Sequence, residues 1–241
     1  MVPPEGDRMT SLPLPPVVTD ADLDLVRRRV LGGPGDHRVS GQISLGRSEA
    51  IRLGPETAGL DQDLARALER DADHHRYYMI MFRCTFRTGS APVVSARLSV
   101  ALRQASVRGV ADPVVWSMDP LRAATPVNHR RMLRLSPNIK ILPETSEFGL
   151  AAEHSREYTS NLSHIVAQGE GESQVEWVFS KTEAVDLVGV YHLHLVARTS
   201  ARVSCRAELA LAATREEKRF GLVRYRAAIP AEHGAVPLAG L

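Results

Sequence analysis

Apolar and polar residues alternate along most of segment 174–228, and the alternation is clearest at 188–198. In that stretch every second side chain is apolar, which is the period of a β-strand with one face turned toward a core. The apolar residues are Tyr191, Leu193, Leu195 and Ala197, and the residues between and around them are Val190, His192, His194 and Arg198. The pattern predicts a strand at the centre of an antiparallel β structure.

Segment 201–213 alternates in the same way, so we expect it to form a hairpin with 188–198. A slip of one residue would turn every side chain to the other face, so the hairpin has to pair apolar residues with apolar residues. A second hairpin is predicted through the charged segment 214–221, which ends on a glycine. The predicted pairs are Arg198–Arg202, Leu195–Cys205, Leu211–Val223 and Glu208–Arg226.

Other strands are predicted wherever the period of two recurs, at 77–87, 94–102, 113–118, 132–142 and 158–168. Helical spacing predicts two short helices near the amino terminus, one between Thr19 and Gly32 and the other over 61–72. The strand at 77–87 has apolar residues on both faces, so one face needs a cover, and the two helices are expected to supply it. The residues to be covered are Tyr77, Met79 and Met81.

These patterns divide the chain into four segments. Residues 1–17 are rich in proline and are expected to form a flexible arm. Residues 18–75 are expected to form a helical N-terminal appendage that packs on the sandwich domain of residues 76–229. Residues 230–241 are expected to form a flexible tail. The predicted fold class is therefore mainly β, an antiparallel β-sandwich with two short N-terminal helices.

The central segment also carries a spaced motif, Trp177-x-Phe179 followed by a turn and Asp186-x-x-Gly189-x-Tyr191-x-Leu193-x-Leu195. This motif resembles the late strands of immunoglobulin-like sandwiches, including the polycystic-kidney-disease-type repeat. In the immunoglobulin family a tyrosine two residues before a core position hydrogen-bonds backward to fix a corner, and Tyr191 and Leu193 match those two positions. Leu193 stands where antibody domains have their second cysteine. The resemblance implies an immunoglobulin-like sandwich and no activity.

Composition narrows the class of protein further. The chain has 241 residues, of which 44% are hydrophobic and 24% charged, as in ordinary globular proteins. Its net charge of +2 is too small to indicate a nucleic-acid-binding protein. The basic residues are almost all arginine, which together with abundant Ala, Val, Leu and Gly is typical of GC-rich bacterial coding. The lysines are Lys140, Lys181 and Lys218.

Targeting signals are not evident in the sequence. Residues 1–16 include Glu5 and Asp7 and lack the apolar core of a signal peptide. No run reaches the ~18–20 apolar residues of a membrane helix. We therefore expect a cytoplasmic protein without a membrane span. Cys84 and Cys205 both occupy inward positions of predicted strands, and two buried thiols are favoured over a disulfide.

Arginines dominate the polar face of the predicted hairpins. Because side chains alternate between the two faces of a strand, the arginines point the same way as a single acid, Glu208. Like charges on neighbouring strands repel one another. Acids on adjoining strands would neutralise the row, or arginine-rich coding would explain it; otherwise the cluster marks a contact with an acidic partner. The planar guanidinium pairs well with carboxylates. The candidate partner-binding residues are Arg198, Arg202, Arg206, Arg224 and Arg226.

The sequence therefore predicts a non-enzymatic β-sandwich that binds an acidic protein surface or another subunit of an assembly. Nucleic acid is disfavoured because no aromatic residues are interleaved with the arginines to stack on bases. His192 and His194 share one strand face, a geometry that metal sites use. The predicted register sets them beside Glu208 and Arg206, which favours a polar surface row, so no metal or cofactor is predicted.

An enzyme is the alternative. The sequence has no glycine-rich phosphate loop, nucleophile elbow, HExxH or CxxC motif, so a catalytic site would have to assemble from scattered residues. The loops predicted at 119–129 and 144–157 could supply a hydrolase-like or metal-assisted site. Its members would be Asp119, His129, Glu153 and His154.

Overall fold

The structure is a computed structural model. It describes residues 20–27, 38–57, 60–89, 91–105, 107–132, 155–183, 185–218 and 220–238, with the backbone alone for 125–132 and 155–162. The two helices are α1 (Gln62–Asp71) and α2 (Ala231–Gly234). The strands are β1 (Asp20–Asp22), β2 (Asp24–Arg27), β3 (Arg38–Val39), β4 (Ile43–Gly46), β5 (Ala50–Leu53), β6 (His75–Phe86), β7 (Val93–Gln104), β8 (Val114–Asp119), β9 (Arg122–Met132), β10 (Ser155–Gln168), β11 (Gln174–Ser180), β12 (Gly189–Ser200), β13 (Cys205–Glu217), β14 (Gly221–Ala228) and β15 (Ala235–Leu238).

The strands form two antiparallel sheets, which confirms the prediction of a mainly β protein. Sheet one has the order β1-β4-β6-β12-β8, with β5 also paired to β6. Sheet two has the order β3-β2-β14-β13-β7-β11-β10-β9, with β15 also paired to β13. Both sheets include strands from the amino-terminal part of the described chain, whereas the last three strands all belong to sheet two.

The inner faces of the two sheets pack against each other through aromatic side chains. Phe82 of sheet one lies 5.9 Å from Trp177 of sheet two, and Phe86 lies 5.2 Å from Phe179, measured between ring centroids. Trp177 and Phe179 are fully buried. Edge-to-face and tilted contacts of this kind add to the free energy gained by burying apolar surface. One continuous apolar core therefore joins the sheets.

The prediction of a first helix between Thr19 and Gly32 is wrong for the described residues of that segment. Residues 20–27 form β1 in sheet one and β2 in sheet two, and Leu23 joins them. Leu23 and Leu25 are both completely buried. A spacing of two between buried side chains is the period of a strand rather than of a helix. The Leu23 amide donates to the Ile43 carbonyl at 2.8 Å, so the crossing point is itself held by a backbone hydrogen bond.

The second predicted helix is confirmed as α1. Asp61 caps it, because its Oδ1 accepts hydrogen bonds from the amides of Asp63 and Leu64 at 2.9 and 3.0 Å. The buried side of α1 packs on the outer face of sheet one, as the apolar outer residues of β6 required. The residues in this contact are Leu53, Leu64, Ala67, Leu68, Tyr77 and Met79.

The predicted hairpin between 188–198 and 201–213 is wrong. β12 pairs with β6 and β8 in sheet one, whereas β13 pairs with β7, β14 and β15 in sheet two. Leu195 is opposite Ile80 and Met118, not Cys205. Both strands do turn their predicted apolar residues inward. Parity failed because two successive strands that face each other across a core alternate in the same way as two strands of a hairpin.

The second predicted hairpin exists, with a different register. Arg226 is opposite Ala212 rather than Glu208, a shift of four residues. The strands continue through the charged residues assigned to the loop, so β13 ends at Glu217 and β14 begins at Gly221. Gly221 has a φ of +66°, which suits the tight turn. Because the shift is even, every side chain keeps its predicted face.

Three further assignments change. Residues 122–132 form β9, not a loop, and β9 is an edge strand, where proline is tolerated because one side needs no ladder hydrogen bonds. The predicted flexible tail contributes α2 and β15 up to Leu238, whose side chain is buried. Residues 1–17 and most of the predicted strand at 132–142 lie outside the described residues. No helix among the described residues is long and apolar enough to cross a membrane.

Candidate functional site

The five arginines predicted to bind a partner do not share one surface. Arg198 lies on the outer face of sheet one, where its guanidinium is 5.6 Å from the centre of the Trp116 ring. Arg202 lies in the connection between β12 and β13. Arg206, Arg224 and Arg226 lie on the outer face of sheet two, on the opposite side of the molecule from Arg198. Three of the five arginines therefore share one sheet face.

Arg206 is already paired with an acid. Its Nε and Nη2 donate to Oε1 of Glu208 at 2.8 and 2.6 Å, and Arg103 of the neighbouring strand lies 3.7 Å from Oε2. Glu208 thus lies between two guanidinium groups and offsets much of their charge. The acid that pairs with Arg206 lies on the same strand and not on an adjoining one.

Arg224 and Arg226 have no acidic partner among the described residues. They flank Tyr225 on β14, and the Tyr225 ring is buried, so the alternation of the strand turns both arginines outward. Arg226 is opposite Ala212 of β13, which in turn is opposite Arg97 of β7. Two strand spacings set Arg226 and Arg97 ~10 Å apart at their Cα atoms. Arg97 lies 3.3 Å from Glu176.

Between these arginines β13 turns small side chains outward, and the outward residues on either side of Arg97 in β7 are small as well. Long side chains on both sides of a row of small ones leave a concavity of about 680 Å³ on the sheet face. Arg97, Arg224 and Arg226 surround it, and we call this feature the arginine concavity. Its small residues are Ser95, Ser99, Ala210, Ala212 and Thr214.

A buried polar cluster holds the strand that carries Arg224 and Arg226. The Tyr225 hydroxyl donates to Oε1 of Glu217, and the Arg215 Nη1 lies 3.7 Å from the same oxygen. Arg215 also donates from Nε to the Ala91 carbonyl at 3.3 Å and lies over the Tyr225 ring at 5.4 Å. Burial and the Glu217 carboxylate raise the pKa of Tyr225, so the phenol stays neutral. The cluster fixes the register of β13 against β14.

The two histidines weighed as metal ligands, His192 and His194, have different neighbours from those predicted. His192 is opposite Arg83, not Glu208, and His194 is opposite Met81 and Asp119, not Arg206. The His194 Nδ1 lies 3.7 Å from an Asp119 carboxylate oxygen. Within the described residues no group of three or more His, Cys, Asp or Glu side chains could hold a metal ion.

The alternative catalytic site is only partly visible. Of its four members, Asp119 has a described side chain and lies at the end of β8. His129 lies in β9 opposite Tyr158 of β10 and is described by its backbone alone. Glu153 and His154 lie outside the described residues. The two cysteines are buried and free, and burial raises their pKa values to about 12 for Cys84 and about 11 for Cys205. Neither thiol is a nucleophile at neutral pH.

Sequence reasoning missed Arg97 and the small residues of the concavity. The signal for the small residues was present, because Ala210, Ala212 and Thr214 occupy successive outward positions of one strand. Arg97 carries no such signal, since only the pairing of β7 with β13 brings it beside Ala212.

Comparison with known proteins adds little to this description. No protein-family model matches the chain, and no curated protein sequence resembles it. Among solved structures, one described as a pore forming protein is similar over 80% of this chain and 89% of that chain, at 6% sequence identity and a TM-score of 0.26. A likeness at this level carries no argument about the function of this chain.

Proposed function

We propose that the protein is a non-enzymatic interaction module that binds an acidic protein surface through the arginine concavity. The observation that carries the proposal is the pair Arg224 and Arg226, which point outward from one strand without an acidic partner among the described residues. Like charges two residues apart on a strand repel, so the arrangement costs stability in the isolated chain. An acidic partner would remove that cost.

The chemistry of the concavity favours carboxylates over nucleic acid. Guanidinium groups pair with carboxylates through two parallel hydrogen bonds, and the small residues between them let a partner's side chains approach the sheet closely. Nucleic-acid surfaces usually add exposed aromatic rings for base stacking. Among the described residues, the one ring that lines the concavity is that of Tyr225, which is buried. The partner class we propose is therefore an acidic protein segment or an acidic subunit of an assembly.

We further propose that the two sheets form an immunoglobulin-like sandwich. The Tyr191 hydroxyl donates to the Val188 carbonyl at 3.4 Å, three residues upstream, which supports the backward contact that the resemblance implies. The bacterial origin and the cytoplasmic location stay predictions from the sequence, and so does the involvement of Arg198 and Arg202 in partner binding.

Binding of a defined acidic peptide tests the proposed function. A fluorescein-labelled peptide of alternating Glu and Ser is titrated with the protein, and its anisotropy is followed at rising salt. The double variant Arg224→Ser/Arg226→Ser should bind about 10-fold more weakly, because two exposed ion pairs of ~0.5–1 kcal/mol each are lost. Binding by the unchanged protein should weaken as salt shortens the Debye length below ~8 Å.

The matched control is Arg52→Ser/Arg108→Ser, which removes the same two charges from exposed positions outside the concavity. This control should bind like the unchanged protein. Equal losses in the two double variants would mean that net charge alone attracts the peptide and would refute the site. Competition with an RNA of the same charge separates the partner classes, since an RNA that displaces the peptide at lower concentration would contradict the proposal.

A further inference from the structure

A second concave feature lies on the opposite side of the molecule, between α1 and the outer face of sheet one. It is a groove of about 450 Å³, within the range of roughly 300–1,000 Å³ that is common for small-molecule sites. We call it the α1 groove. Apolar side chains of the groove come from α1 and the segment just before it, from β5, from β6 and from β12. These side chains are Leu53, Leu60, Leu64, Met79 and Val196.

Two carboxylates mark the polar part of the groove. Asp119 at the end of β8 has a side chain that is 79% exposed, and Asp61 precedes α1. Asp61 uses only Oδ1 to cap the helix, so its Oδ2 stays available. The described residues that line the groove include neither lysine nor arginine. An apolar body with a positive end would therefore match the groove in both hydrophobicity and charge.

His194 lies beside the Asp119 carboxylate. The residue lines the groove, and its Nδ1 lies 3.7 Å from the Asp119 carboxylate. Its Nε2 is shielded from solvent, so a ligand in the groove does not reach that nitrogen. The two carboxylates are therefore the groups that an ammonium would meet in the groove.

From these observations we infer that the α1 groove binds a small apolar amine. The ammonium group lies between Asp119 and Asp61, and the hydrocarbon lies along the side chains of α1 and Val196. The inference is independent of the arginine concavity, because none of its residues belongs to sheet two.

Matched linear ligands test the inference on the unchanged protein. Octylamine, octanol and octanoate have the same chain and different head groups, and isothermal titration calorimetry at neutral pH and below micelle-forming concentrations measures their Kd values. Octylamine should bind at least 10-fold more tightly than octanol, and octanoate should show no binding. Each methylene added from hexylamine to octylamine should tighten binding about 3- to 4-fold, as burial of one CH₂ predicts.

Two variants locate the site. Asp119→Asn should weaken octylamine binding about 10-fold, whereas Asp112→Asn, which removes another exposed carboxylate outside the groove, should leave it unchanged. Val196→Trp should abolish binding by filling the groove, and a melting curve checks that this variant is folded. Equal affinity for octylamine and octanoate, no dependence on chain length, or full binding by Asp119→Asn would each overturn the inference.

Discussion

Removing the Glu217 carboxylate should destabilise the protein more than removing it together with Arg215. The Arg215 side chain is 5% exposed and that of Glu217 is 16% exposed, and both lie against the buried ring of Tyr225. In Glu217→Gln the Arg215 charge stays buried without its counter-charge. Breaking a buried ion pair in this way costs ~3–5 kcal/mol.

The structure places the expected loss at the lower end of that range. Arg215 keeps the Ala91 carbonyl and the Tyr225 ring as partners, and the remaining exposure of Glu217 allows some solvent screening. We expect Glu217→Gln to lose about 3 kcal/mol of unfolding free energy. In Arg215→Met/Glu217→Gln the unpaired charge is absent, methionine fills the space of the arginine stem and glutamine still accepts from the Tyr225 hydroxyl. The double variant should lie within about 1 kcal/mol of the unchanged protein.

Urea denaturation at pH 7, followed by far-UV circular dichroism, measures these differences. The m-values should agree among the variants, so that shifts in the midpoint report stability alone. Glu216→Gln is the control, since that exposed neighbour should change stability by less than ~0.5 kcal/mol. A double variant that is no more stable than Glu217→Gln would refute the reasoning, because it would show that the unpaired Arg215 charge is not the cause of the loss.

Two further predictions test the packing of the sheets. Phe179→Ala should lose ~3–5 kcal/mol of unfolding free energy, because Phe179 is fully buried against Phe86 of the other sheet, and a melting temperature like that of the unchanged protein would contradict this. Cysteines at Thr85 and Val190, which are opposite each other in sheet one, should form a disulfide under mild oxidation. Cysteines at Val190 and Ala210, which the predicted hairpin would have paired, lie in different sheets and should stay reduced on a non-reducing gel.

Local patterns predicted the elements more successfully than their partners. The inward positions of β12, β13 and β14 follow from a period of two, and α1 follows from helical spacing. The pairing of β12 with β6 joins residues that are more than 100 positions apart in the chain, for example Leu195 with Ile80. Alternation has no information about such distant pairing, because it fixes which way a side chain points and not which strand lies beside it.

The prediction of a helix for the short segment at the amino terminus failed for a related reason. Leu23 and Val26 fit a helical stripe, while Leu23 and Leu25 fit a strand, and eight residues are too few for one period to exclude the other. Contacts with distant residues decided the outcome, since Leu23 bonds to Ile43 and Leu25 is opposite Val39. Pairing with distant strands thus outweighed the charge order of this segment, whose acidic start and basic end are typical of a helix.

The same limitation applies to the candidate site. Parity correctly turned Arg206, Arg224 and Arg226 outward, yet it could not tell which of them an acid neutralises. Arg206 and Glu208 are two residues apart on β13 and bond in any register, whereas the neighbour of Arg226 depends on register, and the four-residue shift makes it Ala212 and not Glu208. Had the predicted pairing of Glu208 with Arg226 held, the concavity would have contained its own counter-charge. Small uncharged neighbours in the folded sheet, rather than the number of arginines in the sequence, therefore leave these two guanidinium groups available to a partner.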